Sequence, residues 1–175
     1  VRFYEAKMLI LSAGGIPCYT LLLDSNQPLT DKERNIDLLI TELLSMDIRA
    51  VEFIPEKVTI ELLKKYARHF YEKGFIVTFG TEHSQLERQS LVPKTWNGKT
   101  LDDELVQIGY DGVCIYAAHQ EMHHQKCPGF LDDMGKRIIH PARIRDFIRI
   151  GDDVIKRAQN HDDQHEVKWY EPTYS

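Results

Sequence analysis

Three short, almost uninterrupted apolar runs, each next to a stretch with helical spacing, constrain this chain more than any other feature. They are IPCYTLLLD (16–24), IRAVEFI (48–54) and FIVTFG (75–80). Runs without an alternating polar face belong to strands covered on both sides, as in parallel sheets. A helix over 4–12, stopped by Gly14-Gly15, precedes the first run. Thr30 and Glu33 form a capping-box pair opening a second helix. Its Ile36, Leu39, Ile40, Leu43 and Leu44 fall on one buried stripe. Thr59 reads as the N-cap of a helix through Lys73, with Leu62, Leu63, Tyr66, Ala67 and Phe70 inside and Gly74 as its stop. After a polar stretch, 81–99, the pattern predicts a short helix from Thr100 and Asp103 to Gly109. A fourth strand, DGVCIYAAH (111–119), and an irregular stretch over 120–140 follow. The last helix is predicted over 141–159, through Ile144, Phe147, Ile148, Val154 and Ile155.

This alternation predicts an α/β fold with a parallel sheet of about four βα units. Two architectures fit: a doubly wound open sheet, or a partial or distorted TIM-like (β/α) barrel. No glycine-rich phosphate loop follows any strand, which removes weight from nucleotide-binding open sheets. A closed barrel has about eight units, so four amount to half of one, with two open sheet edges. The chain opens on Val rather than Met and enters a helix at once. The expectation is therefore a fragment of a longer chain, residues 1–160 forming one domain and 161–175 a polar C-terminal arm.

The 175 residues suffice for one domain with a sizeable core. Net charge is −5 with both signs interspersed, so no basic block recommends nucleic acid or an anionic membrane surface. No apolar run is long enough to span a bilayer. Cys18, Cys114 and Cys127 are far apart, and Cys18 and Cys114 fall within predicted buried strands, which reads as reduced thiols and a cytoplasmic location.

In parallel architectures the chemistry gathers beyond the C-terminal ends of the strands. The four predicted ends offer Asp24, Glu52, the pair Glu82–His83, and His119. A carboxylate beside an imidazole suits Zn, Mn or Fe. Adjacent residues of an extended chain point oppositely, so Glu82 and His83 share a site only if the chain turns after Gly80; an ordinary solvated turn is the competing reading. His119 and His123 stand one helical turn apart, without the internal glutamate that makes such a pair a known zinc motif. His123, His124 and Cys127 read as a polar loop. Glu52 either faces a site or pairs with Arg49 or a lysine near the strand end. No activated nucleophile is recognisable, which leaves a metal-activated water as the economical mechanism.

The order AGGIPCY, AVEFIP and GFIVTFGTEH resembles the second half of the PHP (polymerase and histidinol phosphatase) superfamily of metal-dependent phosphoesterases. The resemblance covers residues 5–120. It implies a distorted β/α barrel, phosphoester hydrolysis, and Glu82 and His83 as metal ligands. The family places its acid and histidine one residue apart, whereas Glu82 and His83 are adjacent. Its opening His-x-His motif is absent from the 175 residues, so the chain would supply only part of a centre.

The resulting expectation is a PHP-like metal-dependent hydrolase acting on a small-molecule phosphoester or related substrate. Glu82 and Glu52 would be catalytic, and Glu82, His83 and His119 would hold a divalent metal. A homo-oligomer or the remainder of a longer chain would complete the site. The alternatives are a metal-assisted sugar isomerase or aldolase, and a non-catalytic interaction or assembly domain.

Overall fold

The computed structural model describes residues 2–24, 28–81 and 92–162, without the side chains of 161 and 162. It is an open α/β/α sandwich around three parallel strands in the order β1-β2-β3: β1 (Cys18–Leu21), β2 (Ala50–Phe53) and β3 (Ile76–Phe79). The strands are in register, with Tyr19, Val51 and Val77 aligned, and Thr20, Glu52 and Thr78 aligned one step on.

Side-chain alternation assigns the two faces. Val51, Phe53 and Val77 pack with α3 (Ile36–Ser45) and α4 (Ile60–Glu72), through Leu39, Leu43, Leu63 and Phe70. Ala50 and Ile76 pack on the other face with α5 (Asp103–His124) and α6 (Ile144–Asp162), through Ile115, Ala118 and Phe147, and with Phe130 of the segment between those helices. Both helical stripes read from the sequence on the first face are present. Leu39, Ile40, Leu43, Leu63, Tyr66, Ala67 and Phe70 are buried, and Ile36, Leu44 and Leu62 are partly buried against them.

The Thr30–Glu33 capping box exists, but it opens only the four-residue α2 (Asp31–Arg34). The chain then recaps, the Asn35 side chain accepting from the Leu38 amide at 3.1 Å to start α3. The first helix of the chain, α1 (Phe3–Ser12), lies at the sheet's margin, with Phe3, Tyr4, Leu9 and Ile10 exposed.

The predicted fourth strand is overturned. Residues 111–119 lie within α5, a single 22-residue helix. Asp102 caps it, accepting from the Leu105 amide at 3.1 Å. Its buried residues Leu105, Ile108, Gly112, Ile115, Ala118 and His119 recur at helical spacing. Gly109 does not stop the helix, because it and Gly112 instead let α5 approach β3. A Cβ on Gly109 would lie 2.8 Å from the Phe79 ring, and one on Gly112 would lie 2.1 Å from the Val77 carbonyl oxygen. The amides of Ile76 and Gly80 donate to β2, so the carbonyl of Val77 faces the outer edge of β3. Helix α5 thus covers the edge where a fourth strand would have paired, and the sheet is neither a closed barrel nor a set of four βα units.

The irregular stretch predicted over 120–140 begins in the last turn of α5, and a tight turn joined by a Leu131–Arg137 bridge interrupts it. The final helix is present as α6, entered through a short 3₁₀ turn, Pro141–Arg143. It meets α5 very closely: a Cβ on Gly151 would lie 1.8 Å from the Cys114 carbonyl oxygen. Helix α6 passes the boundary placed at residue 160, and the remainder of the arm, 163–175, lies outside the described residues. No helix among the described residues is long and apolar enough to cross a membrane.

Candidate functional site

The C-terminal edge of the sheet is the place where this topology presents side chains to a ligand. Glu52 is the charged group held there by a strand. It shares a sheet face with Ala50, between Thr20 of β1 and Thr78 of β3, and is half-buried. Among the described residues no cation pairs with it, so the expected pairing with Arg49 is not formed. A carboxylate in a central strand without a partner is unusual.

Gly80, directly after β3, makes room for it. A Cβ there would stand 2.7 Å from Glu52 Oε1, so any larger residue would displace the carboxylate. The glycine read from the sequence as a turn former is equally a spacer. Thr81 follows it. Glu82 and His83, the next two residues and the centre of the sequence expectation, lie outside the described residues.

Two weak acids border Glu52. Cys18 belongs to an exposed strand rather than the buried one anticipated, because β1 is the last strand of the sheet. Its thiol is nevertheless crowded by neighbouring atoms, and this desolvation pushes its pKa up to about 11. Tyr116 beside it pulls the value down, and Glu52 adds to the rise. The Tyr116 phenol is itself pushed well above its ordinary range by burial first, then by Cys18 and Glu52. At neutral pH both groups keep their protons, and Cys18 is a thiol rather than a nucleophilic thiolate. Glu52 is therefore flanked by neutral donors, an environment that favours a cation.

His119 does not stand at a strand end. It lies near the end of α5, one turn beyond Tyr116, with 2% of its surface exposed. The Phe130 amide donates to its Nδ1 at 2.8 Å. That bond places the proton on Nε2, which is buried and makes no hydrogen bond. The His123 ring packs edge-on against it, the centroids 4.5 Å apart. Burial first, and then His123, lower the pKa of His119 to about 4, opposed by the Gly14 backbone. Gly129 permits this enclosure, since a Cβ would fall 2.2 Å from Nδ1. A histidine ligand ordinarily donates from the nitrogen that does not bind metal; His119 accepts there instead.

Asp24 follows β1 and sits at the wall of a shallow cavity of about 260 Å³ with Leu22, Pro28, Leu29, Thr30, Glu33 and Lys57. Among the described residues no group of three or more histidine, cysteine, aspartate or glutamate side chains is placed to hold a metal ion. They supply one donor, Glu52, to a centre that would need at least two more. Sequence reading missed the Cys18–Tyr116 neighbourhood, since Tyr116 was assigned to the absent fourth strand. Helical spacing of 112, 115, 118 and 119 was the signal that could have found it.

Compared with protein-family models, with curated proteins and with solved structures, the chain shows no match.

Proposed function

We propose that this domain is part of a metal-dependent hydrolase of the PHP-like type, acting on a phosphoester or related small molecule at the C-terminal edge of the sheet. The observation that carries the reading is Glu52, which has no ion-pair partner among the described residues and for which Gly80 clears space. Glu82 and His83 follow that glycine by two and three residues in the sequence. In this reading those three side chains contribute to the site and His119 does not, since its Nδ1 already accepts the Phe130 amide. A bound Zn, Mn or Fe ion would activate water for attack. Glu52 would accept a proton, and the neutral Cys18 and Tyr116 would donate hydrogen bonds toward the bound ligand.

Metal analysis of the full 175-residue chain tests this. Stoichiometric metal that is lost in the Glu82→Gln/His83→Ala double variant and weakened in Glu52→Gln supports the proposal. A metal-free wild type after loading with each of the three ions overturns it.

A second reading, an assembly domain, is favoured by the open edge of β1. Cys18, Tyr19 and Thr20 are all exposed there, beside the bare apolar residues of α1. A second copy pairing antiparallel along β1 would cover both. Light scattering then gives twice the 20.4 kDa chain mass, and a monomer at high concentration excludes this reading.

A further inference from the structure

The N-terminal edge of the sheet, opposite Glu52, collects positive charge with little to balance it. Lys7 of α1, Arg49 just before β2 and Arg137 at the end of the 131–137 turn all come to this edge. Gly135 in that turn lies against Lys7, where an added Cβ would be 2.9 Å from Cε. Arg137 Nη1 is 3.5 Å from the carbonyl oxygen of Gly74, in the turn leading to β3. The Arg49 carbonyl accepts from the Ile76 amide at 2.8 Å, two residues after Gly74. Arg49 adjoins the Gly74–Ile76 segment through its backbone and Arg137 through its guanidinium.

Lys7 is fully engaged. It donates to the Met46 carbonyl at 2.8 Å and lies 3.6 Å from Asp47. Asp132 is also engaged, accepting from the Met134 and Lys136 amides of its own turn. Arg137 has only its long 3.5 Å approach to the Gly74 carbonyl, and neither arginine has an acidic partner among the described residues. Among the described residues neither forms an ion pair, and Arg49 Nε is buried without any hydrogen bond. Burial, and then the charge of Arg49, weaken the hold of Arg137 on its proton.

A buried guanidinium N–H left unmet is destabilising, and a second like charge beside it adds to that. The chain as a whole is acidic, at −5, so general basicity does not account for the concentration. Capping of the nearby C-terminal ends of α3 and α4 would account for positive charge here. It leaves the orphaned Nε unexplained, and the 3.5 Å approach to Gly74 is long for a hydrogen bond. A planar, fixed fork of donors on each of two arginines matches the oxygens of a tetrahedral oxyanion.

We propose that Arg49 and Arg137 form an oxyanion-binding site at the N-terminal edge of the sheet, which takes the phosphate group of a small phosphorylated ligand. The site is separate from the edge that carries Glu52 and does not depend on the hydrolase reading.

The test titrates inorganic phosphate into the full chain at constant ionic strength, read by calorimetry and by thermal unfolding. The expected result is saturable binding with a dissociation constant of roughly 1 mM or lower. Chloride at matched ionic strength gives no response. Arg49→Gln and Arg137→Gln should each weaken phosphate binding at least ~10-fold, the loss of a hydrogen bond to a charged group. Each should also leave the phosphate-free unfolding temperature unchanged or raised, because one of two repelling charges is gone. A lowered phosphate-free temperature with the phosphate response intact makes the arginines helix caps and overturns the proposal. Should either variant fail to fold, phosphorus NMR of the wild type decides alone: no saturable line broadening overturns it.

Discussion

Lowering the pH should destabilise this domain through His119. The ring is enclosed by Gly129, Phe130 and His123, with 2% of its surface exposed, and its pKa falls from an ordinary 6.5 to about 4. A histidine with a depressed folded-state pKa binds its proton more readily when unfolded. Its contribution to stability is therefore complete above about pH 6.5 and is lost as the pH falls toward 4. At about 1.36 kcal/mol per pH unit, the gap between 6.5 and about 4 corresponds to a loss of about 3 kcal/mol, of which about 2 kcal/mol is gone by pH 5. That is a large part of the stability of an ordinary domain. Urea unfolding at pH 7, 6 and 5 measures the slope, and the His119→Asn variant isolates it. The asparagine oxygen can stand where Nδ1 accepts from Phe130, so the fold is kept at some loss of packing while the titrating group is removed. The variant should be less stable at pH 7 yet lose less between pH 7 and 5 than the wild type. An unchanged slope in the variant, or a His119 proton resonance that titrates near pH 6.5 in the native state, refutes the argument.

Other consequences concern packing and the thiol. Gly112→Ala should destabilise by about 3 kcal/mol in chemical denaturation, because its Cβ would meet the Val77 carbonyl at 2.1 Å. A variant as stable as wild type would mean that α5 does not seat on the β3 edge. Gly151→Ala should do comparable damage between α5 and α6, where the clash with the Cys114 carbonyl is at 1.8 Å. Phe70 is fully buried, with its ring centroid 6.0 Å from that of Phe53 and 5.1 Å from that of Phe75; replacement by alanine should destabilise by about 4 kcal/mol, seen as a lower urea midpoint. Alkylation of Cys18, followed by peptide mass, should still be accelerating at pH 10, since its pKa is about 11. A rate that levels off below pH 9 would contradict the crowding of that thiol.

Strands β2 and β3 and the stripes of α3 and α4 were legible because burial on both sides forces continuous apolar runs, and helical burial forces spacing of three and four. Residues 111–119 were misread for a related reason. A fully buried segment shows no polar face, so strand and helix look alike over nine residues, and Gly109 was taken as a stop when it is a point of contact. The error carried His119 with it, from a strand end to the interior of a helix bundle. Cys18 was expected to be buried because hydrophobic continuity does not reveal how many strands a sheet has, and the outermost strand is exposed whatever its composition. Glu52 could be placed from sequence alone, since a charge within β2 must face something. The converging arginines could not. Arg49 and Arg137 are 88 positions apart and follow no period; only the fold brings them to the same turn.

The contact between Gly112 and the edge of β3 also sets a limit on how copies of this domain can associate. With α5 occupying one margin, the described sheet has a single free border, along β1. Polymers that grow by strand addition need two borders per copy, one to receive and one to offer. A domain with one can be joined once and then has nothing left to extend. Opening the α5 seat, as Gly112→Ala would, restores the second border and with it a route to fibrous aggregates. A single methyl group at this position would thereby turn a self-terminating sheet into one capable of growth.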